Sequence, residues 1–272
     1  MSKVHLASSA MGVAAVAILS LALSACDRPP EPTRYELVWQ DEFEGPAGQS
    51  PDSTRWTFDI GTDWGNQQQE YDTDRPENAS LDGQGNLAIT ARVEEYEGQP
   101  YTSARMTTAG LFERTYGRFE ARIRMPTGAG IWPAFWLLGA NLRTVGWPQS
   151  GEIDVVEYRG HEPNVIHGTA HGPGHFGPKA PTRTITLESG RFDTDFHVFA
   201  VEWGEDYIEW FLDGERYHRI TPDDIDGEWV YDHPFYIILN VAVGGLWGGP
   251  VGDDTTFPQT MLVDYVRVYS EG

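Results

Sequence analysis

An antiparallel β-sandwich is the fold this sequence predicts, and three observations carry it. Short runs of alternating apolar and polar residues recur, each bounded by Gly, Pro, Asp or Asn: Leu87–Arg92, Gly117–Met125, Glu152–Tyr158, Phe196–Trp203, Tyr207–Leu212, Phe235–Val243 and Met261–Tyr269. Asp213-Gly214, set between Tyr207–Leu212 and Glu215–Ile220, is a type I′ hairpin signal, because both central positions of that turn need positive φ. Helical periodicity of useful length is absent once the first 25 residues are set aside.

Those first residues read as an export signal. Lys3 and His5 precede an apolar run from Met11 to Leu23 that contains no acidic residue and is too short to span a bilayer comfortably. It ends in Leu23-Ser24-Ala25-Cys26, which resembles the bacterial lipobox, in which cleavage leaves an acylated Cys26 as the N-terminus. Cys26 is the only cysteine, so an intramolecular disulfide framework is excluded. Residues 26–34, with Pro29, Pro30 and Pro32, suit an extended tether. From residue 35 onward no second linker, repeat or low-complexity tract interrupts the chain, which is long enough for one large all-β domain. The expected product is a lipid-anchored monomer outside the cytoplasm, touching the membrane only through its N-terminal lipid.

Acidic residues number 41 against 19 basic, giving a formal charge of −22, and Lys3 and Lys179 are the only lysines. Such a surface repels phosphate backbones, so no nucleic-acid partner is expected, and it disfavours sulfated polysaccharides. A neutral glycan suits it better. Ten tryptophans, many in or beside loops, point the same way, because the apolar face of a pyranose stacks on exposed rings.

Three carboxylates interrupt an otherwise apolar strand in Gly151-Glu152-Ile153-Asp154-Val155-Val156-Glu157-Tyr158. Charges placed there are costly unless paired or functional. In a regular strand Glu152 and Asp154 share one face and Glu157 points to the other. A β-bulge at Val155-Val156 restores Glu157 to the first face, and bulges concentrate beside active sites. The two glutamates can then lean toward the separation of about 5–5.5 Å used by retaining glycosidases, with Asp154 between them to position one and adjust its proton affinity. Like charges so close cannot all ionise freely, so one glutamate is expected to stay protonated as a general acid.

This stretch resembles the E-x-D-x-x-E signature of glycoside hydrolase family 16, in the bulged form of its laminarinase-like members. The resemblance extends over nearly the whole chain after the tether: Trp39-Gln40-Asp41-Glu42-Phe43, Trp64-Gly65-Asn66, Gly117-Arg118-Phe119-Glu120-Ala121-Arg122, Gly130-Ile131-Trp132-Pro133-Ala134-Phe135-Trp136, and Asp264-Tyr265-Val266-Arg267-Val268-Tyr269. It implies a concanavalin A-like jelly roll with a concave substrate cleft, and an endo-acting β-1,3-glucanase. By the same likeness Glu152 is the nucleophile, Asp154 its helper and Glu157 the acid/base. Trp132 and Trp136 line the cleft, flanking what reads as a Pro-Ala-Phe turn before the catalytic strand, and His171 faces the reacting sugar. Trp64, Asn66, Arg105 and Asn240 match positions that shape the donor subsites. Gln67-Gln68-Gln69 departs from the family's usual Asn-Glu continuation, which bears on the outer donor subsite.

No cofactor is expected for the chemistry. Many family members bind a structural calcium through an early glutamate or backbone oxygen, a glycine carbonyl and an aspartate on the last strand, and the matching positions are Glu42, Gly83 and Asp264, hard oxygen donors of the kind calcium prefers. The alternative for Asp264 is a pair with Arg267 or a neighbouring strand. His161, His167 and His175 lie near His171 in sequence without metal-ligand spacing, and they read as surface residues. Two competing readings remain at this level: an agar- or carrageenan-type galactan hydrolase of the same family, and a non-catalytic β-glucan-binding protein. The glutamate pair weighs against the second.

Overall fold

The structure, a computed structural model, describes residues 35–272, so the export segment and Cys26 lie outside the described residues. The chain opens with β1 (Tyr35–Asp41), β2 (Thr57–Phe58), β3 (Glu70–Asp72), β4 (Ala79–Leu81), β5 (Leu87–Tyr96) and β6 (Gln99–Ser103). Its middle holds β7 (Arg105–Thr107), β8 (Gly117–Arg124), β9 (Ile131–Gly139), β10 (Glu152–Tyr158), β11 (Val165–His171) and β12 (Thr182–Thr186). It closes with β13 (His197–Gly204), β14 (Tyr207–Leu212), β15 (Glu215–Ile220), β16 (Phe235–Val243) and β17 (Gln259–Glu271). Two single-turn helices, α1 (Leu142–Val145) and α2 (Gly245–Gly248), sit in the loops after β9 and β16.

These strands form a sandwich of two sheets. One follows the order β15-β14-β13-β8-β17-β5-β6-β3, with β1 on β17 and β4 on β5; the other runs β12-β11-β10-β9-β16-β7-β2. Every pairing is antiparallel except β3 with β6. Phe119 and Phe199 from the first sheet meet Phe135, Val155 and Phe235 from the second in one continuous core. Burial of that apolar surface is the main stabilising term, and it leaves the outer face of the seven-stranded sheet free to carry polar chemistry.

Alternation located most strands but not all their limits. Leu87–Arg92 continues to Tyr96, and the last strand extends two residues beyond each end of Met261–Tyr269. At the predicted hairpin, Asp213 and Gly214 have φ of 50° and 85°, as a type I′ turn requires. One reading is corrected: Pro133-Ala134-Phe135 is not a turn but the middle of β9. Proline is rare in an interior strand because it lacks a ladder donor. Here the β10–β9 ladder ends at Glu157↔Ala134, so Pro133 lies just past it while β16 continues alongside through Val241↔Pro133.

The register of β10 decides the site. Its pairing slips between Asp154 and Val156 against β9, and between Asp154 and Glu157 against β11. Val155 and Val156 both turn into the core, between the inward Ile153 and Tyr158. Two consecutive inward residues return Glu157 to the face of Glu152 and Asp154. The kink is held from the opposite sheet: the Trp210 indole N–H of β14 donates to the Asp154 carbonyl at 2.8 Å. Gly168 of β11 makes room for that ring, since a Cβ there would stand 2.7 Å from Trp210 Cδ1.

Trp210→Phe keeps most of the apolar volume but leaves the Asp154 carbonyl buried without its donor. The expected cost is about 1–3 kcal/mol of stability, the penalty for a buried unsatisfied polar group, together with a fall in kcat as β10 relaxes. Denaturant unfolding and steady-state kinetics check this. A variant with wild-type stability and turnover would show that the bulge holds itself.

Candidate active site

A cleft of about 390 Å³ runs across the outer face of the seven-stranded sheet. Its floor follows from period-two geometry. Trp132, Ala134, Trp136 and Leu138 of β9 face outward while Ile131, Phe135 and Leu137 enter the core. Asn240 projects from β16 and Arg105 from β7, and the loop from Trp64 to Gln68 closes that end. Glu152, Asp154 and Glu157 stand on β10 as a single row. The structure therefore brings together nine of the residues singled out in the sequence, and His171 reaches the tenth place from β11, where it pairs directly opposite Glu152.

Polar contacts fix the aromatic walls. The Trp136 N–H donates to Asn240 Oδ1 at 2.9 Å. The Arg105 guanidinium lies between the rings of Trp64 and Trp136, 4.9 Å and 4.8 Å from their centroids, and its Nε donates to Asp59 at 2.9 Å. The Trp64 N–H donates to Asp72 Oδ2 at 2.8 Å. Asp72 is buried, and burial pushes its carboxyl up to about 7 against the pull of Trp64 and Arg105. On the far rim Trp132 packs on Trp247, with centroids 5.1 Å apart. Trp147 is a further contributor: its ring caps the near rim and its N–H donates to Glu152 Oε2 at 3.1 Å. Nothing in alternation or charge marks Trp147 or Trp247; position five residues before Glu152 is the one signal for the former.

Burial dominates the electrostatics of the row. It lifts Glu152 to about 8, with the Asp154 charge adding to the rise and His171, Arg105 and the Trp147 N–H opposing it. Burial alone lifts Asp154 to about 8. Glu157 rises well above the usual carboxylate range, first through burial and then through the charges of Asp154 and Glu152. The three therefore do not ionise together at neutral pH. His171 and a tryptophan favour ionisation of both glutamates, but Glu152 is opposed by the Asp154 charge and helped by Arg105, whereas Glu157 is opposed by both other carboxylates. Glu152 therefore loses its repulsion once Asp154 holds a proton. Glu157 is left as the proton carrier.

His171 sets the middle of the row. Its Nε2 lies 3.2 Å from Asp154 Oδ2 and 3.7 Å from Glu152 Oε1. The donor atoms of these three side chains lie within 4.8 Å of one another, a set that could hold a metal ion. The backbone argues otherwise. Gly177 N–H donates to His171 Nδ1 at 3.2 Å, which requires that nitrogen to be unprotonated and keeps the neutral ring's proton on Nε2, aimed at the carboxylates. His171 is thus arranged to donate a hydrogen bond rather than to ligate.

The comparisons with known proteins agree with this geometry. The family described as "Glycosyl hydrolases family 16" matches residues 59–267. The chain belongs to that family. A β-glucanase of Rhodothermus marinus is 43% identical over 264 residues, covering 93% of this chain and 91% of the relative. A glucan endo-1,3-beta-glucosidase of Cryptopygus antarcticus is 38% identical over 87% of this chain and 92% of its own. Among solved structures, the laminarinase catalytic domain of Thermotoga maritima superimposes with a TM-score of 0.82 at 46% identity, covering 88% of this chain and 99% of that one.

One expectation about this family-16 enzyme changes on the structure, and the positions matched to calcium carry other partners. His175 is not a surface residue: it is 1% exposed, with Nε2 2.9 Å from the Tyr231 hydroxyl and Nδ1 3.1 Å from the Asp226 carbonyl. The carboxylates expected to ligate calcium are already engaged. Glu42 forms a bidentate pair with Arg267 at 2.8 Å and 2.8 Å, and Asp264 pairs with Arg122 of β8 at 2.5 Å. Glu42 therefore does not fit as a carboxylate ligand. An ion at Glu42, Gly83 and Asp264 would depend on main-chain carbonyls and the second Asp264 oxygen.

A carboxyl whose proton is held more tightly in the folded than in the unfolded chain stabilises at low pH, and that stability is lost as pH rises from the ordinary glutamate range through about 8 for Glu152. Glu152→Gln removes this loss. Its melting temperature at neutral pH is expected to exceed wild type by several degrees, at about 2–4 °C for each kcal/mol regained, with the difference vanishing at acidic pH. Thermal scans across pH check it, and a variant less stable at every pH would contradict the electrostatic account.

Proposed function

We propose that the chain hydrolyses internal β-1,3-glucosidic bonds of laminarin-type β-glucan with retention of configuration. The observation that carries this is the single row of Glu152, Asp154 and Glu157, delivered to one face of a bulged strand at the floor of an aromatic cleft. In the first step a Glu152 oxygen attacks the anomeric carbon as the bond to the leaving sugar oxygen breaks and Glu157 gives that oxygen its proton. In the second, Glu157 takes a proton from water, the water oxygen attacks the anomeric carbon, and Glu152 departs as carboxylate. One water is consumed and two inversions give net retention. Asp154 and His171, whose Nε2 lies 3.2 Å from Asp154 Oδ2, act on Glu152 without touching the leaving group and keep the nucleophile oriented.

Substrate class follows from charge and wall chemistry. Among the described residues Arg105 is the one arginine or lysine lining the cleft, spent on Asp59 and two rings, and Arg159 on the rim over Trp247 pairs with Glu162, so sulfated chains find little free counter-charge. The chain's similarity to proteins named β-glucanase, endo-1,3-beta-glucosidase and laminarinase supports a neutral glucan. Laminarin is expected to be cut internally, mixed-linkage glucan more slowly, and cellulose, agarose and carrageenan not at all. Chromatography of products and NMR of the first-formed anomer read both linkage and stereochemistry; release of reducing ends from agarose or carrageenan with none from laminarin would overturn the assignment. Glu157→Gln is expected to lose natural glucan turnover while cleaving a glucosyl fluoride, whose departure needs no proton, and to lose the alkaline limb of the rate profile.

Two further readings rest on sequence. The Leu-Ser-Ala-Cys stretch supports export and lipidation at Cys26, so Cys26→Ser should move the protein from the membrane to the soluble fraction. A calcium held beside Asp264 would sit in the sheet opposite the cleft and serve stability only. Chelation should then lower the melting temperature and leave kcat intact while the protein stays folded.

A further inference from the structure

Beyond β10, on the side of β11 away from Arg105, a tight loop from Gly172 to Gly177 carries Phe176. The loop is anchored from inside by buried His175, held by Tyr231 and the Asp226 carbonyl. Gly172 and His175 exchange backbone hydrogen bonds of 3.2 Å and 3.1 Å. Gly174, at φ of 90°, lies so close to the neighbouring chain that a Cβ would stand 2.5 Å from the Asp226 carbonyl oxygen. The Gly177 N–H closes the loop on His171. None of this construction buries the residue it presents: Phe176 is 44% exposed, edge-on to the 45% exposed Trp147 with centroids 5.4 Å apart at 72°.

A phenyl ring held rigidly in water is an unfavourable exposure that a ligand's apolar face can relieve. The position says which ligand. Trp147 lies 6.0 Å from the His171 ring and donates to Glu152, so the platform adjoins the reacting centre. Trp64 and Arg105 occupy the other end of the strand row β7-β16-β9-β10-β11, so Phe176 stands across the catalytic strand from them. With the donor subsites on the side of Trp64 and Arg105, as the family resemblance implies, a glucan chain laid along that row and cut at Glu152 and Glu157 puts its departing portion beside Phe176.

We propose that Phe176, with the edge of Trp147, is a stacking subsite for a glucosyl unit on the leaving-group side of the scissile bond. The inference rests on the glucanase reading and specifies how that site holds the half of the chain it releases. The sugar's C–H face covers the phenyl ring while its hydroxyls stay in water, so the subsite selects pyranose shape rather than charge.

The test compares two substrates that share the donor half: a β-1,3-gluco-oligosaccharide, which places sugars on the platform, and β-laminaribiosyl fluoride, which places none. For Phe176→Ala the ratio of kcat/KM on the oligosaccharide to kcat/KM on the fluoride is expected to fall roughly tenfold, equivalent to about 1.4 kcal/mol, chiefly through KM, and Phe176→Trp is expected to restore it. A ratio equal to wild type, or equal losses on both substrates, would overturn the subsite. Failure of the wild-type enzyme on both substrates would instead defeat the glucanase reading, so the two failures are distinguishable.

Discussion

The hydrogen bond from Trp210 to the Asp154 carbonyl, and the bulge it holds, is the constraint on which the rest of the site depends. A side-chain period of two cannot put positions 152, 154 and 157 on one face; only an extra residue can. That residue opens the ladder and strands a carbonyl in the interior, where an unmet acceptor is costly. The donor comes from β14 in the opposite sheet, through a core that must leave Gly168 without a side chain to admit the ring. Catalytic geometry is therefore specified from the far side of the sandwich.

The same burial that aligns the row also supplies its chemistry. Burial raises the proton affinity of all three carboxyls and the Asp154 charge adds to that of the two glutamates, and their partners then separate the roles. Both glutamates feel His171 and a tryptophan, but Glu152 has the pull of Arg105 as well and Glu157 the charges of both other carboxyls against it. The proposed division into acid and nucleophile therefore rests on environment and not on residue type. The arrangement works against stability at neutral pH, and the large uninterrupted core of the sandwich offsets it.

What the sequence made legible and what it hid divide along a physical line. The bulge could be read because Val155-Val156 breaks a period that the flanking residues keep, and the hairpin because only Asp-Gly chemistry satisfies two positive φ values. β9 could not, because Pro133 is a turn signal until one knows that the β10 ladder stops at Ala134. His175 looked like a loop residue because its burial comes from Tyr231 and Asp226, more than fifty residues later in the chain. The calcium set rested on likeness alone, and the arginines facing Glu42 and Asp264 come from β17 and β8, distant in sequence. Asp59, Asp72 and Trp147 escaped notice for the same reason: each acquires meaning only from a partner brought to it by the fold.

One rule accounts for three of the cleft's indoles, Trp132 excepted, whose N–H has no hydrogen-bond partner among the described residues. Indoles bring a large apolar face and one obligatory donor, and a donor left to solvent lets the ring turn. Here Trp64 gives its N–H to Asp72, Trp136 to Asn240 and Trp147 to Glu152. The polar edges are consumed within the protein, which fixes ring orientation before any sugar arrives and leaves the faces and outer edges for stacking. Arg105, wedged between two of these rings and tied to Asp59, contributes rigidity rather than a free charge. A cleft preorganised in this way loses little side-chain entropy on binding, so weak contacts to a neutral, hydroxyl-covered chain suffice to hold it across Glu152 and Glu157.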